Sequence, residues 1–298
     1  MVRSVNDESY QPETKIQQEL IRKNMRSAQR TTMTYFALAM STGVIWLLYP
    51  LITQTKAEIF SVYVPFDTSY SPVYEIFYFV KGYSLMLHAM ANTSKDSIVV
   101  LIMAHICGQL DIVDDKLTKL KETALEKIKN GYQKNLSDTM NELLIKSVQR
   151  HKLILNLNKE FNDVYTFAIL AQFTTSVLII CVILYQISVL SVTSMVFFSM
   201  INYLFCMMLQ LSVYCWHGNE VILKSSHLYR SVYNIDWPDT SITFKKNMLY
   251  FMCNVKKPIK IYAGNFFEVS LESYMAILRS SWSYFAVLKN SRDEIKED

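Results

Sequence analysis

The sequence predicts an all-α integral membrane protein, on the basis of its composition, one long uncharged run and the distribution of its basic residues. Hydrophobic residues make up 51% of the 298, and Gly and Pro number only 6 each. No Lys, Arg, Asp or Glu occurs from Val164 to Asn219. About 20 apolar residues cross a bilayer once, so this run has room for two crossings and a turn.

The apolar segments predict five membrane helices. The first ends at Pro50 and a polar exit, and the second begins after Pro72. The second is the least regular, because four polar or charged residues interrupt it: Lys81, Asn92, Lys95 and Asp96. The predicted crossings are residues 33–52, 74–101, 165–185, 196–216 and 261–287.

Lys and Arg concentrate in three of the segments that connect or precede these crossings, residues 1–31, 114–162 and 217–260. Cytoplasmic loops carry an excess of Lys and Arg, so these three segments are predicted to be cytoplasmic. The opposite side has Lys56 in its first loop and a C-terminal tail whose basic residues are balanced by acidic ones. The N-terminus is therefore predicted inside and the C-terminus outside.

Segment 114–162 is predicted to be helical rather than a flexible loop. Leu117, Leu120, Ala124 and Ile128 recur at helical spacing among charged residues, and a similar series follows from Leu143. These amphipathic helices are expected to extend the second and third membrane helices beyond the bilayer. Two interpretations remain open, a solvated helical hairpin and a packing layer between subunits.

A polar stripe marks the last predicted crossing. Glu268, Glu272, Arg279 and Ser283 follow one another at spacings of 4, 7 and 4, which places them on one side of a helix with 3.6 residues per turn. A charged stripe on a membrane helix faces protein or water rather than lipid. It therefore predicts either an internal hydrogen-bonded row or the wall of a pore.

The sequence favours neither an enzyme nor a cofactor-binding protein. It contains no HExxH, CxxC pair, GxSxG or phosphate-binding glycine loop, and its His residues are scattered. Its two halves show no paired broken helices of the kind found in transporters. No disulfide framework, metal site or cofactor is predicted, and the five cysteines are interpreted as small buried hydrophobes: Cys107, Cys181, Cys206, Cys215 and Cys253.

Four sequence blocks, in order, carry a more specific signal. They are a loop with Pro65, Phe66 and Asp67; residues 214–221 followed by a block ending at Trp237; residues 257–272; and residues 281–288. This order and spacing resembles the insect odorant receptor family over essentially the whole chain. The related gustatory receptors end differently, and Ser283, Tyr284 and Phe285 are closer to the odorant type, although a gustatory-type receptor remains an alternative.

The resemblance implies that residues 1–298 form a single transmembrane receptor domain with its N-terminus inside. Family members are plasma-membrane proteins of olfactory neuron dendrites. They form ligand-gated cation channels with a shared coreceptor, as heterotetramers around a central pore. Segments 114–162 and 217–260 would form the cytoplasmic anchor between subunits.

The last helix lines the pore in this family. The resemblance therefore assigns pore or gate positions to Glu268, Glu272, Arg279, Ser283 and Val287. A second gate position falls on Ser291, where the coreceptor has a leucine, and this difference suits a tuning subunit.

The family has seven membrane helices and five are predicted here, the first of which matches the third of the family. Loss of an even number of crossings preserves orientation. The alternative to an odorant-binding subunit is therefore a truncated, non-signalling membrane protein of the same family.

The ligand site is expected among large apolar side chains in the outer halves of the helices. Volatile odorants are small and apolar, so shape and dispersion would recognise them. The alternative is ordinary helix packing or an aromatic belt at the membrane interface. The candidate ligand-binding residues are Trp46, Tyr49, Phe79, Tyr83, Met86, Phe198 and Tyr203.

Overall fold

A computed structural model describes residues 11–12, 14–53, 70–131 and 135–297, with the side chains of residues 49, 51, 53, 288 and 291–297 excepted. Within these residues the chain is almost entirely helical, with one short β-hairpin near its end. The helices are α1 (Lys15–Thr53), α2 (Val73–Thr118), α3 (Leu120–Lys129), α4 (Leu136–Val189), α5 (Met195–Tyr233), α6 (Ile242–Val255) and α7 (Leu271–Glu297), and the strands are β1 (Tyr262–Ala263) and β2 (Phe267–Glu268).

Four of the described helices, α1, α2, α4 and α5, are long and apolar enough to cross a membrane. The first four predicted crossings lie within them, which agrees with a multi-pass membrane protein. Helix α1 continues through Pro50 to Thr53. Helix α7 is not one of the four, and Glu272 and Arg279 lie among its apolar residues.

Helices α2 and α4 continue well past the predicted crossings. Helix α2 runs on to Thr118 and α4 begins at Leu136, so most of segment 114–162 is helical. The amphipathic pattern has the expected effect, because Leu117, Leu120 and Ala124 are fully buried.

The chain divides into two compact units. The first comprises Met1–Ala28, Val100–Ala171 and Tyr214–Ser273, and contains the predicted cytoplasmic segments 114–162 and 217–260. Among the described residues, its core holds all of the largest fully buried side chains, including Phe161, Phe244 and Phe251. Fully buried apolar side chains of this size are typical of a close-packed core.

The second unit comprises Gln29–Val99, Gln172–Val213 and Tyr274–Asp298, and it contains most of the apolar helix surface. Many of its large apolar side chains point away from the unit, as expected where lipid replaces protein as the neighbour. Examples are Ile76, Val80, Leu178 and Val182.

The prediction that a single helix covers residues 261–287 is wrong at its N-terminal end. Residues 261–269 form an antiparallel hairpin, in which Tyr262 pairs with Glu268 and Ala263 with Phe267. Gly264 and Asn265 adopt left-handed φ angles of 62° and 60°, which interrupt a right-handed helix. Helix α7 begins only at Leu271. Ser270 precedes it and caps its N-terminus, because the Ser270 hydroxyl accepts a hydrogen bond from the Ser273 backbone N–H at 3.3 Å.

Candidate ligand-binding site and the last helix

An aromatic and polar cluster joins α1 to α5 in the second unit. The Trp46 indole donates a hydrogen bond to the Ser199 hydroxyl at 2.5 Å, and its ring lies edge-on to Tyr203 with centroids 5.3 Å apart. One turn away on α1, the Asn202 amide donates to the Thr42 hydroxyl at 2.8 Å. Two of the seven predicted ligand residues, Trp46 and Tyr203, are thus in direct contact.

Helix α2 approaches the same part of α1 closely. A Cβ atom on Gly43 would lie 2.9 Å from Cε of Met86, and one on Gly82 would lie 2.5 Å from Cδ2 of Leu47. The two glycines therefore permit the close approach, and they place Met86 beside α1 one turn from Trp46. Met86 thus lies against α1 one turn from Trp46, and Tyr203 contacts the Trp46 ring itself.

The other predicted ligand residues lie elsewhere. Phe79, Tyr83 and Phe198 point outward, with exposed fractions of 74%, 62% and 62%. The side chain of Tyr49 lies outside the described residues, as does the Pro65, Phe66 and Asp67 loop block. The structure thus brings Trp46 and Tyr203 into contact and places Met86 against α1 one turn from Trp46, and a ligand role for any of the seven stays a prediction.

A separate cleft of about 550 Å³ opens between the adjoining ends of α4 and α5. This volume lies within the range of about 300–1,000 Å³ typical of small-molecule sites. No sequence pattern marks this cleft, because its residues come from both sides of a turn. They are Tyr185, Gln186, Val189, Leu190, Val196 and Met200.

The second unit also contains a buried carboxylate, that of Asp96. Asp96 accepts a hydrogen bond from the Gln210 amide at 2.6 Å, and Lys95 Nζ lies 3.5 Å from its other oxygen. Asp96, Gln210 and the neighbouring Tyr35 are all buried. The sequence showed Asp96 only as an interruption of the second crossing, whereas the structure gives it partners on other helices. A paired acid within a membrane helix is typical of a functional or specificity-determining position.

The polar stripe of α7 is real but shorter than predicted. Glu272, Arg279, Ser283 and Val287 are exposed on one side of the helix, while Ser281 is fully buried. Glu268 is not on this helix. It lies in β2, where its carboxylate pairs with Lys260 Nζ at 2.5 Å, and this hydrogen bond raises the pKa of Lys260.

The exposed side of α7 suits contact with water or a neighbouring subunit, since charges facing lipid are costly. The pore or gate roles of Glu268, Glu272, Arg279, Ser283 and Val287 stay predictions, and the side chain of Ser291 lies outside the described residues.

Comparison with known proteins identifies the family. The sequence profile of the 7tm Odorant receptor family matches residues 3–282. Odorant receptor 10 of Aedes albopictus is 24% identical over 273 residues, which cover 91% of this chain and 70% of the relative. Odorant receptor Or2 of Anopheles gambiae is 22% identical over 82% of this chain and 64% of its own length. Odorant receptor 94a of Drosophila melanogaster is 28% identical over 237 residues, which cover 78% of this chain and 57% of the relative.

The chain therefore spans from 57% to 70% of the length of these three relatives. The fold is similar to that of the insect olfactory receptor OR5 from Machilis hrabei in complex with eugenol. The TM-score is 0.76 at 19% identity, with 92% of this chain and 69% of that chain covered. The sequence profile and the shared fold together confirm the resemblance found in the four blocks, and the chain belongs to the insect odorant receptor family.

Proposed function

We propose that this chain is an odorant receptor subunit that binds small volatile ligands where α1, α2 and α5 meet near Trp46. The observation that carries the proposal is the contact of Trp46 with Tyr203 and Ser199, beside Met86. Two aromatic rings and a thioether provide the adaptable apolar surface that small odorants need. Ser199 and Asn202 add a few hydrogen-bonding groups that could orient a ligand.

Binding is proposed to open a cation channel formed with a coreceptor in the plasma membrane of olfactory neurons. A ligand shifts a closed–open equilibrium only by the difference in its affinity for the two states. Helices α1 and α5 each contribute residues to both compact units, so a displacement near Trp46 can pass along continuous hydrogen-bonded helices. The exposed stripe of α7, with Val287 as the gate, is proposed as this subunit's share of the pore wall.

Electrical recording tests the proposal directly. The chain is expressed with a coreceptor, and currents are recorded against a panel of volatile compounds. Trp46→Ala is expected to raise the odorant concentration for half-maximal current by about tenfold, equivalent to about 1.4 kcal/mol of lost binding free energy. The matched control is Phe205→Ala, which removes an exposed ring on α5 that is not one of the seven candidates and should leave the concentration unchanged.

Two results would contradict the proposal. An equal rise in the half-maximal odorant concentration in both variants would mean that the ligand does not bind near Trp46. Absence of odorant-evoked current from a chain that reaches the cell surface with its coreceptor would favour the alternative, a non-signalling membrane protein of the same family.

A further inference from the structure

The hairpin before α7 exposes two adjacent aromatic side chains. Phe266 and Phe267 have exposed fractions of 79% and 57%, while Ile261, Ala263 and Val269 of the same hairpin are buried. The hairpin therefore turns its small and aliphatic side chains into the first unit and its two largest apolar side chains outward. Exposure of two aromatic side chains to water is unfavourable in free energy, so this surface is expected to contact lipid or protein.

The tip is held firmly against α4. The Gly264 backbone N–H donates to the Thr166 carbonyl oxygen at 2.9 Å, and the Asn265 N–H donates to the Thr166 hydroxyl at 3.3 Å. A Cβ atom on Gly264 would lie 2.4 Å from Cδ2 of Leu170, so only glycine allows this approach. The direction in which the two phenylalanines point is thus set by the fold and not by a flexible loop.

Helix α4 indicates the depth of the hairpin relative to the membrane. Asp163 is the last charged residue before the uncharged run that begins at Val164. At a rise of 1.5 Å per residue, Thr166 and Leu170 lie only about 5 and 10 Å further along the helix. The hairpin therefore contacts α4 where the charged part of that helix gives way to its apolar part.

Contacts with helix α5 independently indicate the same depth of the hairpin relative to the membrane. A Cβ atom on Gly218 would lie 2.3 Å from the carbonyl oxygen of Val269, so the end of the hairpin touches α5 at Gly218. The uncharged run ends one residue later, at Asn219, and Glu220 follows. Two helices of opposite direction thus place the hairpin at the boundary between charged and uncharged residues, which is the membrane–water interface.

We propose that Phe266 and Phe267 form an interfacial anchor that inserts between the lipid headgroups and the upper acyl chains. Aromatic side chains are enriched at this level of membrane proteins. The adjoining surface of α4 is also apolar and exposed, at Val164 and Phe167, which continues the lipid-facing surface of the crossing. The ion pair of Lys260 and Glu268 lies at the base of the hairpin, where headgroups and water can solvate it. This anchor would operate whether or not the chain binds odorants.

Nitroxide accessibility in lipid nanodiscs tests the anchor. In a Cys253→Ser background, the variant Phe266→Cys carries the spin label, and collision rates with oxygen and with a water-soluble nickel chelate are compared. Cys253, which is exposed, provides the water reference in the unmodified chain. Leu178→Cys, in the exposed apolar face of α4, provides the lipid reference. The background without an added cysteine corrects for labelling of the buried thiols.

If the anchor exists, the ratio of oxygen to nickel collision rates at position 266 should be well above the ratio at Cys253. It should not exceed the ratio at position 178, the lipid reference. A ratio equal to that at Cys253 would place the tip in water and overturn the proposal. Protection from both reagents would show that protein covers the tip, which would also overturn it. Phe267→Cys repeats the measurement at the second ring, and size-exclusion chromatography checks that each variant folds.

Discussion

Asp96 is a charged residue buried within a predicted membrane crossing. Its carboxylate is buried in a predicted membrane segment and is stabilised by the Gln210 amide at 2.6 Å. Removal of such a partner leaves a buried donor unpaired, and the cost is the desolvation of that donor. Asp96 should therefore matter for how α2 and α5 are held together, independently of any ligand.

Asp96→Leu is expected to lower the thermal stability of the purified chain, while Asp96→Asn, which keeps an acceptor for Gln210, should lower it less. Interhelical hydrogen bonds in membrane proteins contribute about 0.6 kcal/mol on average and up to about 1.7 kcal/mol. The melting temperature in detergent measures the effect. The double variant with Gln210→Leu should be less destabilised than the sum of the two single variants, because both remove one interaction. Strictly additive losses would show that the two side chains are not coupled.

At the scale of elements, the end of the hairpin depends on a close approach to α5. Gly218 allows the Val269 backbone to lie against α5, whereas Gly43 faces only the flexible end of Met86. The two glycines look alike in sequence, since each lies within a long helix. Their surroundings predict different responses to an added methyl group.

Gly218→Ala should destabilise the chain by about 1–3 kcal/mol, the usual range for overpacking against atoms that cannot move aside. Gly43→Ala is the matched control, and its cost should be under about 1 kcal/mol because the Met86 side chain can change rotamer. Thermal melting of both variants in the same detergent measures the difference. Equal melting temperatures would mean that the Val269 backbone shifts without cost.

Sequence alone located the apolar helices and failed at the hairpin, for a physical reason. A continuous apolar run is a property of composition, and it is sufficient to find α1, α2, α4 and α5. The spacing of Glu268 and Glu272 also fits a helix, so it predicts one here. The adjacent Gly264 and Asn265 instead favour a turn, and the backbone forms that turn.

The candidate site was only partly predictable. Trp46 and Tyr203 are large aromatic residues that composition already points to, but their partner Ser199 is 153 positions away from Trp46 in sequence. Asp96 and Gln210 are likewise 114 positions apart. Helical spacing reveals which residues share a face of one helix, and it carries no information on which faces of different helices meet.

At the scale of the whole molecule, a polar cluster ties the first helix into the first unit. Lys224 Nζ lies 2.5 Å from Asp111 Oδ2, and the Asn24 amide donates to the same oxygen at 2.7 Å. This one carboxylate therefore links α1, α2 and α5 within the first unit. By contrast, Asp115, one turn further along α2, pairs with Lys119 of the same segment.

Asp111→Asn should loosen the N-terminal part of α1, whose trypsin sites include Arg22, Lys23 and Arg26. We expect cleavage there to accelerate about fivefold, the change in an opening equilibrium that corresponds to about 1 kcal/mol. Asp115→Asn, which breaks only a local ion pair, is the control and should leave the rate unchanged. Limited proteolysis in nanodiscs measures both, and equal rates would mean that Asp111 does not hold α1.

The concentration of large, fully buried side chains in the first unit has a consequence for how such a receptor can diverge. A dense core restricts changes of side-chain volume, whereas helices that border lipid accept them, because acyl chains fill the space that a smaller residue leaves. The residues around Trp46 belong to the second unit. In the proposed ligand site, preference can therefore change by substitution, while the unit with the fully buried core, which is proposed to assemble with other subunits, keeps its shape.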